Sequence, residues 1–515
     1  MKGIRFALAG LLLAASVAPV CAYGNTGVPP QWAKYVEQVR AADAIADMEA
    51  RCLAYPDLPG NQWPAGAAQA QCALLRKPLY SLDDIERLSA TAGGRAELEH
   101  GFRRLMKQSR RKGEHRDQMF ASYAAFDASE RAGQVAKQWL ERAPESSFAM
   151  LAGGVHYAKS GAKARGRQYA SQTSDEQFDR MHEAFAEAMP LLLRAQEREP
   201  RLSVACYWLS YIGRNISKEL QRQALAHCEK VDPDSYYVAL ERIRASEPRW
   251  GGSSEALDEA VALAAKGVRR NPALGGLLGR SVGYRFTLGG DFPADLIVPP
   301  TRMGPNADLL GRAGRSISHT SFDPNWEDIV YLSQAVRFDP DDEQSHYIRA
   351  WVLVNRYRDP LWARADSDAA LRLDPNELEY VYLRGRIAQN TEGVVAARPY
   401  YQKAMAVPKH HRAALIGWCS SFDPAQEPDM ADDCSRQAAT EFPTAREALL
   451  LRARALYITG RPGALEAVKQ FLMADEIPMY LEEAAQMRNE WLPRLQGDKG
   501  VAERSPAASS GQRSR

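Results

Sequence analysis

Six cysteines form three local pairs whose spacing predicts disulfide chemistry. The sequence has seven cysteines, and apart from Cys21 the separations within the pairs are 20, 22 and 15 residues. Two antiparallel helices joined by a short turn bring such positions together. Zinc would require clustered Cys-x-x-Cys or Cys/His spacings, which the sequence lacks. The expected pairs are Cys52 with Cys72, Cys206 with Cys228, and Cys419 with Cys434.

Disulfides require an oxidising compartment, and the N-terminus predicts export to one. Lys2 and Arg5 precede an apolar stretch, residues 6–17, that is too short to span a bilayer, and Val20-Cys21-Ala22 fits a cleavage site. We therefore predict a signal peptide at 1–22 and a protein that is periplasmic or secreted. No later apolar run is long enough to cross a membrane.

Charge gives no indication of nucleic acid or an anionic membrane as partner. Signal removal takes two of 66 basic residues and none of 64 acidic ones, so the remaining charges balance. A nucleic-acid-binding chain would carry a basic excess. The sequence therefore predicts no nucleic-acid partner.

One loop has the residue types of an anion cradle. In Trp250-Gly251-Gly252-Ser253, consecutive N–H groups flanked by glycine could hold an anion. The structural alternative is that Trp250 fills a core, the glycines form a turn, and Ser253 caps the next helix. Both interpretations stay open at this stage.

Several familiar catalytic motifs are absent. The sequence contains no phosphate-binding P-loop, no dinucleotide fingerprint after a strand and no His-Glu-x-x-His. His410-His411 has no third metal ligand nearby in the sequence. We predict no catalytic residue, no metal and no cofactor.

The C-terminal part repeats with a period of 34 residues. Ala363, Ala397 and Ala431 are spaced by 34, and Ala370, Ala404 and Ala438 follow them by seven, which places both sets on one helix face. A proline follows each second alanine by four or five residues and ends the helix. The pattern predicts successive helical hairpins.

These residues resemble the tetratricopeptide repeat. The best copy is VYLRGRIAQNTEGVVAARPYYQKAMAVP, with Gly385 at the small helix-A position and Tyr401 between the two alanines. Asp328 and Trp351 depart from the pattern. The resemblance implies an all-α solenoid whose helix-A residues line a groove for a protein or peptide. The candidate groove residues are Tyr347, Arg349, Tyr382, Arg384 and Arg452.

The N-terminal half is a less regular helical array. Residues 115–290 resemble a bacterial family known as domain of unknown function 4034, through an Ala-Arg-Gly segment, the helix FDRMHEAFAEAMPLLLRAQEREP, and Pro-Arg-Trp-Gly-Gly-Ser. That resemblance implies a helical fold and no reaction. The predicted organisation is signal peptide 1–22, disulfide-stapled cap 23–95, irregular array 96–274, Gly/Pro-rich connecting segment 275–325, tetratricopeptide-like array 326–495 and disordered tail 496–515.

Taken together, the sequence predicts an exported, non-enzymatic scaffold of the bacterial envelope that binds a protein or peptide. One alternative is an immunity or accessory protein of a secretion or toxin system. A different class is a cell-envelope enzyme acting on glycan, which would need two carboxylates about 5–10 Å apart in a deep cleft.

Overall fold

The structure is a computed structural model that describes residues 27–111, 113, 115–166, 170–290, 292–320, 325–474 and 480–497. The predicted signal peptide lies outside the described residues, and so do residues 498–515 of the predicted tail. Contacts divide the chain into two compact units, Val28–Val352 and, in its described part, 353–497. Each unit is described separately below.

The described residues fold entirely into helices and their connections, with no β-strand among them. The all-α class predicted from the sequence is confirmed. The unit Val28–Val352 contains α1 (Pro30–Asp43), α2 (Met48–Ala54), α3 (Ala67–Ala73), α4 (Leu82–Ser89), α5 (Ala92–Ser109), α6 (Gln118–Ala124), α7 (Glu130–Arg142), α8 (Ser147–Arg165), α9 (Asp175–Arg198), α10 (Ser203–Ile216), α11 (Lys218–Val231), α12 (Tyr236–Ser246), α13 (Ser254–Gly267), α14 (Arg280–Gly283), α15 (Ala294–Thr301), α16 (Ala307–Thr320), α17 (Glu327–Phe338) and most of α18 (Glu343–Asn355).

The second unit continues the succession of helices. Its elements are α19 (Pro360–Leu373), α20 (Leu378–Thr391), α21 (Val394–Ala404), α22 (Pro408–Ser420), α23 (Pro428–Glu441), α24 (Arg446–Thr459), α25 (Ala464–Met473), α26 (Leu481–Gln486), a π-helical turn at Met487–Trp491, and α27 (Leu492–Gly497). Short 3₁₀ helices in the first unit span Ala170–Gln172, Pro248–Trp250, Pro272–Leu277 and Tyr284–Leu288.

The repeated alanines lie where the 34-residue period places them. All six are at most 4% exposed, and each helix packs on the next, as α20 does on α21 and α23 on α24. The small position at Gly385 is equally constrained, because a Cβ there would lie 3.0 Å from Cβ of Tyr400 and 3.2 Å from Cδ1 of Tyr401. The predicted helical hairpins are thus confirmed, and small side chains allow their close approach.

Aromatic side chains form the main core of the first unit. Phe102 on α5 is fully buried, with ring centroids 5.3 Å from Tyr123, 5.4 Å from Trp139 and 5.6 Å from Phe148. Helices α4 to α12 contribute to this cluster. Close aromatic pairs contribute roughly 0.5–1.5 kcal/mol each beyond their buried area, so this cluster fixes the positions of the helices around it.

The N-terminal segment packs against helices that lie between 238 and 299 residues later in the sequence. Gln334 Nε2 on α17 donates to Tyr35 Oη at 2.6 Å, and Arg337 Nε donates to the Cys52 carbonyl at 2.9 Å. The indole N–H of Trp63 donates to the Thr301 carbonyl at 2.9 Å. The stapled segment therefore covers α17, a placement that sequence proximity does not indicate.

The Gly/Pro-rich segment 275–325 is largely helical in its described part and belongs to the first unit. Its glycines serve close packing: a Cβ at Gly304 would lie 2.0 Å from the Gly275 carbonyl oxygen. The division between the units falls at Leu353, inside the region for which one array was predicted. Glycine in tight packing and glycine in a loop look alike in sequence, and the predicted domain limits stay a prediction.

The three expected cysteine pairs are at disulfide distance. Their Cα atoms are 5.3, 5.6 and 5.3 Å apart, and all six side chains are buried. Each bond joins two successive helices, in the order α2–α3, α10–α11 and α22–α23. Within the described part of the chain, no helix combines the length and the apolar character needed to cross a membrane.

Candidate binding cleft

The structure gives intramolecular partners to the arginines predicted to line a groove. Arg349 on α18 is 2% exposed, and its Nη2 lies 3.2 Å from Asp43 Oδ2. Its Nη1 donates to Tyr55 Oη at 3.4 Å and to Ser333 Oγ at 3.1 Å. A buried guanidinium in such a network has no face left for a docking partner, so Arg349 joins the N-terminal segment to α17 and α18.

The groove candidates of α20 are similarly engaged. Arg384 is 4% exposed and is held by Asp368 and Glu392, each at 2.6 Å. The ring of Tyr382 stacks on His410 with centroids 4.2 Å apart. These contacts hold α20 to its neighbours. The 34-residue period does not indicate them, because Asp368 and Glu392 lie 16 and eight residues from Arg384 and do not recur with the repeat.

The remaining groove candidates are half-buried. Arg452 on α24 pairs with Asp432 at 2.5 Å. Tyr347 lines a small cavity of about 110 Å³ together with His319 and Trp351. Both residues are therefore engaged in local contacts of their own units.

The Trp250 loop uses its own N–H groups. Those of Trp250 and Gly252 donate to the Glu247 carbonyl at 2.9 and 3.1 Å, and that of Gly251 donates to the Pro248 carbonyl at 2.9 Å. Gly251 has a φ of 83°, which favours glycine. These N–H groups are therefore not available to an anion.

The side chains of this loop are engaged as well. The Arg214 guanidinium lies 4.5 Å from the centroid of the Trp250 ring. The Nε atom of Arg214 is 2.9 Å from Glu241 Oε1. Ser253 Oγ accepts the N–H of Ala256 at 3.1 Å and caps α13. The loop fastens α13 to the core of the first unit.

A cleft of about 710 Å³ opens in the first unit, beside this loop. Residues from both ends of the unit form it, since Gln71 of α3 faces residues of α12, α14, α16 and the turn before α18. Gln71 Nε2 donates to the Ala273 carbonyl at 2.6 Å, and Asn306 Nδ2 donates to the Gly276 carbonyl at 3.1 Å. These bonds brace the floor of what we call the arginine cleft. It is lined by Gln71, Leu74, Leu75, Tyr236, Tyr237, Leu240, Arg244, Arg249, Gly276, Arg280, Thr287, Pro305, Asn306, Ala307, Asp308, Arg312, Phe338, Asp339, Asp341, Asp342 and Glu343.

One side of the arginine cleft is basic. Tyr236, Leu240 and Arg244 share a face of α12 because they are four residues apart. Arg280 begins α14, and its side chain is 16% exposed. Burial raises the pKa of Tyr236, so its hydroxyl stays protonated at neutral pH and is a hydrogen-bond donor there.

The other side is acidic and lies in the turn between α17 and α18. Asp342 caps α18, since its Oδ1 accepts the N–H of Gln344 at 3.2 Å and its Oδ2 accepts Ser345 Oγ at 2.5 Å. Desolvation by the cleft walls and the neighbouring carboxylates of Asp342 and Asp341 raise the pKa of Asp339 to about 6. Acidic residues before a helix N-terminus are stabilised by its dipole.

Among the described residues, no cluster of three or more His, Cys, Asp or Glu side chains could hold a metal ion. His410 and His411 have separate partners, Glu379 Oε2 at 2.6 Å and Glu441 Oε2 at 2.8 Å.

Sequence reasoning did not predict the arginine cleft. The four-residue spacing on α12 was available as a signal, and Pro-Arg-Trp-Gly-Gly-Ser marked the neighbouring loop. No pattern joins Gln71 to Arg244 and Arg280, because they meet only through the packing of the N-terminal segment.

Comparison with known proteins gives little beyond a general likeness. No family model matches the chain, and no curated protein matches it. The resemblance of 115–290 to domain of unknown function 4034 thus finds no support there and stays a prediction.

Among solved structures, the tetratricopeptide-repeat domain of P58(IPK) is 13% identical, with 79% of this chain and 99% of that chain covered and a TM-score of 0.23. Yeast Tom70 is 11% identical, with 79% and 99% covered and a TM-score of 0.25. The human IFIT1 dimer with PPP-AAAA is 12% identical, with 86% and 95% covered and a TM-score of 0.30. At TM-scores this low, we rest no argument on these likenesses.

Proposed function

We propose that this chain is an exported binding protein of the bacterial envelope, in which stacked helical hairpins present the arginine cleft to a protein or peptide partner. The observation that carries the proposal is the cleft itself. Elements separated by more than 200 residues build one concave site that is lined by both apolar and polar side chains, and ligand sites in proteins are typically of this kind. The three buried cysteine pairs support an oxidising compartment.

Site-specific photocrosslinking tests this function. A benzoylphenylalanine at Thr287, which lines the cleft, should capture a discrete protein or peptide when the cells that produce the chain are irradiated. Arg222 is the matched control site, because its side chain is 75% exposed on α11 and lies outside the cleft. Capture at Thr287 and not at Arg222 is expected; identical patterns at both sites would refute a partner in the cleft.

A glycan-acting enzyme is the second candidate, and one observation favours it. Asp339, with its pKa raised to about 6, shares the cleft with Asp308, and a carboxylic acid with a raised pKa is what glycoside hydrolysis uses as its general acid. The capping role of Asp342 explains part of the acidic side without catalysis, so we favour binding.

The two candidates differ in what the purified protein does to bacterial cell wall. A binding protein releases no reducing ends from it. Release that Asp339→Asn lowers by about 100-fold, and that falls as the pH rises through about 6 because the acid loses its proton, would establish the enzyme instead.

A further inference from the structure

Two arginines in the arginine cleft lack a carboxylate of their own. Within the described part of the chain, Arg244 donates no hydrogen bond and forms no ion pair, although it lines the cleft. The carboxylate on its own helix, Glu241, is taken by Arg214 at 2.9 Å. Arg280 reaches only Glu247, with Nη2 3.9 Å from Oε1, which is too long for a hydrogen bond.

The other arginines of the cleft are satisfied. Arg249 Nε donates to Glu247 Oε2 at 2.6 Å, and Arg312 Nε donates to Asp308 Oδ1 at 2.8 Å. Glu247 is therefore already the acceptor of a strong bond when Arg280 approaches it. The contrast marks Arg244 and Arg280 as the two arginines of the cleft that donate no hydrogen bond to a carboxylate, although the charges of Glu241 and Glu247 act on Arg244.

Neighbouring cations in a partly desolvated cleft repel one another. Burial and the charge of Arg244 lower the pKa of Arg280, which is the electrostatic sign of this repulsion. An anion between the guanidinium groups would reverse it, and the planar guanidinium fork suits the oxygens of a carboxylate or phosphate.

We propose that the arginine cleft binds a ligand with one terminal oxyanion, a carboxylate or a phosphate, joined to an apolar or aromatic body. Arg244 and Arg280 would donate to the oxyanion, with the Tyr236 hydroxyl as a third donor. Tyr237, Leu240 and Phe338 line the space for the body. This inference rests on the proposed function only for the location of the site.

The acidic side of the cleft limits what the ligand can be. Asp339, Asp341 and Glu343 line the same cleft as the arginines and would repel a second anionic group. The cleft therefore selects a ligand with a single anionic end over a polyanion such as a nucleic acid.

Calorimetric titration of the full chain tests the proposal with three probes that share a phenyl ring: phenyl phosphate, phenylacetate and neutral benzyl alcohol. We expect at least one anion to bind and the alcohol not to bind. The preferred anion identifies the oxyanion. No binding of either anion at millimolar concentration overturns the proposal, and so does equal binding of the alcohol.

Variants locate the binding. Arg244→Gln and Arg280→Gln should each weaken binding of the preferred anion by about tenfold or more, since a charge-assisted hydrogen bond is lost. Arg222→Gln makes the same charge change outside the cleft and should leave affinity unchanged. Arg244→Lys keeps the positive charge but not the planar guanidinium group. Its affinity for the preferred anion should lie between those of the wild type and Arg244→Gln. Equal affinities of Arg244→Gln and Arg222→Gln would contradict the proposed site.

Stability separates a binding role from a structural one. Arg280→Gln should keep or raise the Tm of the free protein, because burial and the charge of Arg244 disfavour the Arg280 cation there. A lowered Tm would make Arg280 a structural residue and overturn its assignment. Failure of the two proposals is also distinguishable: flat titrations with intact crosslinking at Thr287 refute the oxyanion, whereas anion binding without crosslinking refutes the protein partner.

Discussion

Arg349→Ala should lower the free energy of unfolding by roughly 3–5 kcal/mol, because it removes the buried guanidinium from its ion pair with Asp43. Arg349 is 2% exposed, and Asp43, which it contacts at 3.2 Å, is itself largely buried, with 14% of its side chain exposed. Tyr55 Oη donates to the same carboxylate. Removing the guanidinium leaves the Tyr55 hydroxyl bound to Asp43 but takes away the cation of α18. It also opens the contact that holds the N-terminal segment in place.

The measurement is denaturant unfolding of the variant beside Arg412→Ala. Arg412 also forms an ion pair, 2.8 Å from Glu447, but its side chain is 54% exposed, so its loss should cost less than about 1 kcal/mol. Hydrogen exchange should localise the Arg349→Ala effect to α1, α2 and α17. A groove residue would behave differently: stability would stay unchanged and only partner capture would fall. That outcome would restore Arg349 to a binding surface.

Arg349 also shows where sequence reasoning stops. The 34-residue period placed it correctly on a helix, and the buried alanines confirm the register of that array. Periodicity states which residues share a face, yet it does not state what covers that face. Here a segment from the other end of the chain covers it, through Asp43 and Tyr55. Long-range pairing of this kind has no local signature.

The arginine cleft was hidden for the same reason. In the sequence, its basic residues look like ordinary surface charges. Two of them, Arg249 and Arg312, do form ion pairs with carboxylates close by in the sequence. Only the assembled unit shows that Arg244 donates no hydrogen bond to a carboxylate among the described residues. The cysteine pairs were predictable because each bond closes two successive helices, so local spacing was sufficient.

Removing the bond between Cys206 and Cys228 should cost about 2–5 kcal/mol of stability. The bond closes a loop of 22 residues between α10 and α11, and both cysteines are fully buried in the main core of the first unit. The double variant Cys206→Ala/Cys228→Ala therefore loses the constraint on the unfolded chain and also packing contacts in the core. Cys419→Ala/Cys434→Ala is the matched comparison, since it removes a bond of similar span, 15 residues, from the second unit.

Hydrogen exchange resolved by segment distinguishes the two variants. Loss of the first bond should reduce protection in α10 and α11, and loss of the second should reduce it in α22 and α23, because each bond joins the two helices of one hairpin. Reducing agent should reproduce both effects in the wild type. Unchanged protection of α10 and α11 in the first variant, or reactive thiols in the native oxidised protein, would contradict the pairing. A hairpin that stays protected without its bond would also show that core packing around Phe102 alone holds it.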